Sequence, residues 1–432
     1  MKRLLLVTYY FPPSGGAGVQ RTLKWTKYLR EFGVEPVVLT VEAGAYPSLD
    51  PTLEADVPDG VEVIRTKALD PFGVYGALTG RSRREAVAVG SVADADGWAK
   101  RLGLWARANV FLPDARVGWV PFARAAAYER IGRGDIDAVL TSGPPHSVHL
   151  VGLGLRRQLR ALGLRWIADF RDPWTGITFY DELPMTGLAK GLDRRLERRV
   201  LRSADRVVTV SPTWARDLEG QGGLQPRTIE VIENGFDPAD FAGVQEPVRS
   251  DAFEIAHVGS LYAPRNPEAL WAAIARLRAE GAVPKLRIRL VGRVDGVVEG
   301  ALERHGLAEA VDRTPVVPHD EAVRAMARAG LLVLSIEDVR QDAGILTGKL
   351  YEYLASGRPV LALGPVGADA DRLLRQSGGG TLRDRADVDG LAAEVRAHYE
   401  AWAAGEPRAG AAADALAPLS RRAQAGELAA LV

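Results

Sequence analysis

One rhythm runs twice through this chain and restricts what it can fold into. A continuous apolar run gives way to a loop rich in glycine and proline, and the loop to an amphipathic helix. The first run is Leu4 to Thr8, unbroken as a strand covered on both faces requires. The loop Phe11-Pro-Pro-Ser-Gly-Gly-Ala-Gly18 follows, and Val19, Leu23, Thr26 and Leu29 then mark one helical face, closed by Gly33. Further strands are expected at Val37–Thr40, Ala138–Thr141, Trp166–Asp169, Arg206–Val210 and Ile229–Ile232. The pattern restarts at Glu254-Ile-Ala-His-Val-Gly259. It continues through a helix at Pro267–Glu280, strands at Leu286–Val291, Leu331–Ser335 and Pro359–Leu363, and helices at Gly348–Ala355 and near Asp371–Gln376. Alternation of this kind implies an α/β fold of parallel sheets with right-handed crossovers. Ligands of such sheets sit beyond the carboxyl ends of the strands. The loops after Val7, Thr141, Ala168, Val258 and Ile336 are therefore the places to look.

At 432 residues the chain exceeds one ordinary core, and two domains are expected. The first spans about 1–240 and the second about 251–405, with the stretch from Phe236 to Ser250 as linker and 406–432 as a closing helical segment. Residues 70–118 interrupt the first rhythm. They combine Trp98, Leu102, Trp105 and Phe111 with Arg81, Arg83, Arg84, Lys100, Arg101 and Arg107. The formal net charge is zero, so charge gives no reason to expect nucleic-acid binding. With no cysteine, disulfides, thiolate metal sites and a Cys nucleophile are excluded, and a reducing cytoplasm fits. The start Met1-Lys-Arg-Leu-Leu-Leu lacks a cleavage site and reads as a first strand, not a leader. No apolar stretch approaches the ~20 residues a spanning helix needs.

The most informative segment runs from Gln341-Asp-Ala-Gly-Ile-Leu-Thr-Gly-Lys349 through Leu-Tyr-Glu-Tyr-Leu-Ala-Ser-Gly-Arg-Pro-Val360. It passes from a strand end through a small-residue loop into a helix. Free N–H groups at such a helix start suit a diphosphate. Lys349 and Glu352 are three apart and share a face. The cation suits phosphate and the carboxylate suits ribose hydroxyls, although the same pair would also read as an ordinary surface ion pair.

This segment resembles the donor-site signature of glycosyltransferase family 4. The resemblance extends through Tyr9-Tyr-Phe-Pro-Pro-Ser-Gly-Gly-Ala-Gly18, Asp169-Phe-Arg-Asp-Pro-Trp174, Glu233-Asn-Gly-Phe-Asp237, His257-Val-Gly-Ser-Leu261 with Arg265, and Leu419-Ser-Arg-Arg-Ala-Gln424. It implies a GT-B fold: two Rossmann-like domains facing across a cleft, an acceptor-binding first half, a nucleotide-sugar-binding second half, and a last helix crossing back to the first domain. It implies a retaining transferase that moves a sugar from a nucleotide-diphosphate-sugar to an acceptor hydroxyl, in surface polysaccharide or glycoconjugate synthesis. Donor binding would involve Gly16, Gly259, Ser260, Arg265, Asp342, Gly344, Ile345, Leu346, Thr347, Gly348, Lys349 and Glu352. Acceptor binding would involve Gly15, Gly18, Asp169, Arg171 and Trp174. Arg265, Lys349, Glu352, His146 and Asp172 are the candidate catalytic residues.

The sequence departs from the family at two places. The first of the family's two glutamates falls on Gly344, with Asp342 as a substitute candidate, and the Arg of its Gly-Arg pair is Ser260. His146 and His149 both follow a strand. His146 is preferred for contact with a sugar hydroxyl because His149 starts the next helix. Gly15-Gly-Ala-Gly18 also imitates a dinucleotide fingerprint, with Glu42 as the ribose acid, but Arg21 occupies the third glycine position. The triplets Asp94–Asp96, Asp369–Asp371 and Asp387–Asp389 lie in helix-flanking sequence and read as caps before metal ligands. No metal and no cofactor is expected, and the partners are a nucleotide-sugar and a saccharide or lipid-linked saccharide. Residues 97–112 fit either an amphipathic helix packed on its own domain or one that touches the inner face of the membrane peripherally. A sugar-nucleotide epimerase or phosphorylase, and a non-catalytic module of the same fold, stay open as alternatives.

Overall fold

A computed structural model describes residues 1–46, 48–69, 98–177, 180–243 and 250–432, without the side chains of 17 and 98–102. Asp94–Asp96, the arginines at 81, 83 and 84, and the side chains of Trp98, Lys100, Arg101 and Leu102 lie outside the described residues. The chain divides into two compact units, Met1–Glu233 with Arg421–Val432, and Asn234–Ser420.

The first unit carries a seven-stranded sheet: β1 Lys2–Thr8, β2 Val34–Val41, β3 Glu62–Thr66, β4 Ala138–Gly143, β5 Arg165–Phe170, β6 Arg206–Thr209 and β7 Glu230–Val231. The order is β3-β2-β1-β4-β5-β6-β7, and each pairing is parallel, with Leu5 opposite both Val37 and Val139. Because side chains alternate along a strand, β1 feeds two cores. Leu5 and Val7 join Val139, Ala168 and Phe170 on one face, while Leu4 and Leu6 join Trp25, Leu140 and Ile167 on the other. Helix Arg421–Leu431 completes this second core through Ala425 and Leu428.

The second unit repeats the plan with six parallel strands: β8 Phe253–Val258, β9 Leu286–Val291, β10 Val311–Thr314, β11 Leu331–Ser335, β12 Val360–Leu363 and β13 Gly380–Arg383. Their order is β10-β9-β8-β11-β12-β13. This unit is wider than the sequence suggested. It begins at Asn234, takes helix Pro238–Phe241 from the expected linker, and includes residues up to Ser420.

In both sheets the strand order reverses beside the first strand of the unit, between β1 and β4 and between β8 and β11. A crevice opens at such a switch point. Side chains from the segments past those four strand ends can converge on a ligand there.

Candidate active site

In the second unit, β11 leads through residues 336–347 into helix Gly348–Ala355. Thr347 occupies the N-cap, yet its side chain makes no capping bond. Among the described residues its buried hydroxyl has no hydrogen-bond partner. The first turn holds no acidic residue, so the positive end of the helix is left open to an anion. Lys349 lies in that turn and donates to the Ser260 carbonyl at 3.2 Å. Gly259 makes this contact possible. It has φ +119, and a Cβ there would fall 2.3 Å from the Lys349 ammonium nitrogen. Burial pushes Lys349 down to about 8, the charge of Arg265 adds to the shift, and Glu352 opposes it. Arg265 and Glu352 are thus both within electrostatic reach of Lys349. His257, on β8, is pushed down to about 4 by burial and then by Lys349.

The neighbouring side chains are divided between frame and site. Leu346 is buried and Ile345 packs beside it in the core, so neither side chain is a site group. Asn234 donates to the Leu346 carbonyl at 3.4 Å and so braces the loop. Gly344 is buried in a 3-10 turn, Asp342–Gly344. Asp342 does not stand ready as the missing glutamate. It accepts from Arg385 at 2.6 Å, and its charge is already committed. Asp369 and Asp371 pair with Arg372 and Arg375, and Asp387 and Asp389 with the Gly390 N–H and Arg276. Both triplets serve helix starts. Among the described residues no group of three His, Cys, Asp or Glu is arranged to hold a metal ion.

In the first unit the loop after β1 enters helix Ala17–Tyr28 at Gly16, whose φ of 90 is open to glycine. A Cβ on Gly15 would sit 2.8 Å from Ser48 Oγ. Arg171, just past β5, donates to the Gly18 carbonyl at 2.7 Å and lies 3.3 Å from Asp172. Asp172 stays part-exposed beside it. His146 is buried and stacks on Trp174, with ring centroids 5.3 Å apart and planes 7° from parallel. Neither of its ring nitrogens has a partner at hydrogen-bonding geometry, although the Pro173 backbone lies near enough to favour the protonated ring slightly. Burial holds His146 well below the usual histidine range, and Arg171 adds to this. It is a neutral ring at neutral pH. His149 lies inside helix Val148–Ala161, with Nδ1 3.0 Å from Thr141 Oγ1 and its ring stacked on Phe170. The structure therefore makes His149 a core residue.

Two expected acceptor contacts are corrected. Asp169 is fully buried. Arg21 donates to both its oxygens at 2.9–3.2 Å and Ser142 donates to one at 2.6 Å. It locks β5 to the first helix, with no oxygen left over for a sugar. Trp174 is also buried, and its indole N–H donates to Asp193 at 2.9 Å. It supports His146 from behind.

Asp193 was not singled out from the sequence, and neither was Glu197. Both lie on helix Gly187–Ser203 and both are buried. Asp193 also accepts from Tyr180 at 2.9 Å, and Glu197 accepts from the Thr175 hydroxyl at 2.5 Å and its N–H at 3.3 Å. Burial pushes Asp193 up to about 6 and Glu197 to about 7. Asp114, in the segment expected to be an insertion, was missed as well. It accepts two bonds from Ser147 at 2.8 Å and fixes the histidine loop. A signal existed for the helical pair: residues 193 and 197 continue the apolar face of Val200 and Leu201, positions where a carboxylate has to be buried.

Two parallel doubly wound sheets, each with its loops gathered at a switch point, define the GT-B class. Solved structures agree on the fold. Sucrose-phosphate synthase of Thermosynechococcus elongatus superposes with a TM-score of 0.62 at 16% identity, covering 100% of this chain and 98% of that one. A glycosyltransferase of Rickettsia africae gives 0.59 at 13%, covering 99% and 96%. The model of Glycosyltransferase Family 4 matches residues 15–240, and that of Glycosyl transferases group 1 matches 252–401. The chain belongs to glycosyltransferase family 4. It is 31% identical over 182 residues to the D-inositol 3-phosphate glycosyltransferase of Kribbella flavida, covering 38% of this chain and 42% of that protein. It is 26% identical over 248 residues to the MMP alpha-(1->4)-mannosyltransferase of Mycolicibacterium hassiacum, covering 55% and 56%. The chain thus spans about half the length of the named relatives it matches.

Proposed function

We propose that this protein is a retaining glycosyltransferase that binds a nucleotide-diphosphate-sugar in its second unit and transfers the sugar to an acceptor hydroxyl. The observation that carries this reading is the uncapped start of helix Gly348–Ala355, with Lys349 laid across Gly259 and Arg265 close by. An open helix terminus and two cations form a site for a group that gains negative charge as the sugar departs. Glu352, one turn into the helix, is suited to ribose hydroxyls. In a retaining transfer the leaving phosphate and the incoming hydroxyl share one face of the sugar. A phosphate oxygen can then take the acceptor proton, and no strong protein base is required. That agrees with a neutral, buried His146, which can meet a hydroxyl but holds no charge. Of the Asp-x-Asp residues that are described, Asp387 caps a helix and Asp369, Asp371 and Asp389 pair with arginines, which supports transfer without a divalent metal.

We further propose a saccharide or lipid-linked saccharide acceptor, a place in surface polysaccharide or glycoconjugate synthesis, and a cytoplasmic protein that touches the membrane peripherally. Among the described residues no helix is long and apolar enough to cross a membrane. Helix Trp98–Val110 exposes Trp105 and Val110, and Asn109 bonds to Pro184 and Thr186 beside the exposed Leu188 and Leu192. Sedimentation with anionic liposomes tests this surface, and a wild type that stays in the supernatant at low salt excludes it.

The experiment for the function is calorimetry with UDP, GDP, dTDP and ADP on wild type, Lys349→Met and Glu352→Ala, followed by transfer assays in chelator. One nucleotide should bind, both variants should weaken it while melting normally, and chelator should not abolish transfer. Equal affinity in wild type and both variants would remove the donor site from this helix. Sugar rearrangement with donor alone would favour an epimerase.

A further inference from the structure

The cation placed to meet the donor diphosphate already holds a carboxylate. Arg265 donates through Nε to Glu337 Oε1 at 2.7 Å, and a terminal nitrogen lies 2.6 Å from the same oxygen. Both side chains keep nearly a third of their surface, 28% and 30%, so the pair is open to an incoming anion. Lys349 lies near enough that the charge of Arg265 disfavours its own protonation. Glu337 therefore neutralises one of two crowded cations.

The backbone under Glu337 is pinned. Arg385, just past β13, donates to the carbonyls of Ile336 and Glu337 at 3.2 and 2.7 Å, and to Asp342 at 2.6 Å. The loop past β11 is held at several points by one guanidinium, while the Glu337 side chain can still turn about its own rotamers.

We propose that Glu337 is an internal counter-ion that competes with the donor diphosphate for Arg265. The proposal rests on reading this loop as the diphosphate site. A diphosphate can displace the carboxylate because it meets Lys349 and the open helix start as well as Arg265. Among the described residues the Glu337 side chain meets Arg265 alone. Swinging Glu337 aside needs only side-chain rotation, since Arg385 keeps the backbone in place. The pair holds Arg265 in the empty site and lowers the affinity for the nucleotide that remains after transfer.

The test is a double-mutant cycle in calorimetry on the full chain, using whichever of UDP, GDP, dTDP or ADP binds wild type. Glu337→Gln keeps the side-chain size and removes the charge. It should tighten nucleotide binding about two- to fivefold, as expected for loss of a part-exposed competing ion pair. In an Arg265→Gln background the same change should leave affinity unaltered. Unchanged or weaker binding by a Glu337→Gln protein that melts like wild type overturns the proposal, since Glu337 would then be idle or would orient Arg265 for the ligand. Failure of the underlying reading looks different: Lys349→Met and Arg265→Gln would both bind as wild type does.

Discussion

The two units use the same sheet plan but secure the loops past their strands by opposite means. In the first unit most of the securing groups are sealed inside, Arg171 on the Gly18 carbonyl being the part-exposed exception. Arg21 and Asp169 keep 1% and 0% of their side-chain surface, and Asp193 and Glu197 hold the Trp174–Tyr180 region from within a helix. In the second unit the securing charges stay at the surface, as in Arg265–Glu337, and Arg385–Asp342 is only partly covered. A buried ion pair exchanges partners with difficulty, because each unpaired intermediate leaves a charge out of water. A part-exposed pair can trade one anion for another with water as intermediary. The first unit thus presents a fixed surface, and the second a set of charges whose partners can change with a ligand.

The comparison breaks first at Asp169. Asp169→Ala strands the Arg21 guanidinium in the core and should cost about 3–5 kcal/mol in urea denaturation. A loss below about 1 kcal/mol would show that the pair is not the lock described here. A second test is pH. Glu197 sits at about 7 in the fold, against ~4.3 unfolded. Its folded value is raised, so its contribution to stability is full below pH 4 and is lost as pH rises through 7. Wild type should lose roughly 2–3 kcal/mol of stability from this group between pH 4 and pH 8; Glu197→Gln should remove the part of the slope between pH 6 and pH 7, below which Asp193, raised to about 6, adds its own. A slope between pH 6 and pH 7 that survives unchanged in the variant assigns it to another group.

The third test belongs to the second unit. Lys349→Met should weaken nucleoside diphosphate binding about 10- to 100-fold, the range for losing a charge-assisted hydrogen bond. Since Lys349 lies at about 8, wild-type affinity should also fall as pH rises through 8 and the ammonium is lost. Lys349→Arg should flatten that fall, and an unchanged profile would mean another group titrates. The smallest effect is expected at the exposed pair. Glu337→Gln should alter folding stability by no more than ~1 kcal/mol, in contrast to Asp169→Ala, and an effect of equal size would erase the distinction between the two units.

Much of this was readable beforehand. The strands buried on both faces announce themselves as apolar runs, as in Leu4–Val7 and Leu331–Leu334. The strands that went unnoticed are β3, β10 and β13, each at a sheet edge. Glu62-Val-Ile-Arg-Thr66 and Val311-Asp-Arg-Thr314 carry charges because an edge is only half covered. Helix Gly348–Ala355, proposed above to meet the donor, could be located because its strand–loop–helix setting is local. The acceptor-side roles could not be assigned, because they depend on distant partners. Asp169 reads as a site carboxylate until Arg21, 148 residues away in sequence, is found to hold it. Asp193 and Glu197 sit in an arginine-rich helix and look like members of surface ion pairs. Their burial follows from the opposite side of the helix being the charged one.

Helix Arg421–Leu431 sets an order of events during synthesis. Its Ala425 and Leu428 fill a core shared with Leu4, Leu6 and Trp25, yet the whole second unit, Asn234–Ser420, is made in between. At ~5–20 residues per second, the ribosome takes roughly 10–40 s to cover that interval. For that time the nascent first unit carries an apolar face with its cover still unmade, while the second unit emerges with all of its own parts. The half that leaves the ribosome first is therefore the half that finishes folding last, and chaperone capture of arrested chains should peak before Arg421 emerges.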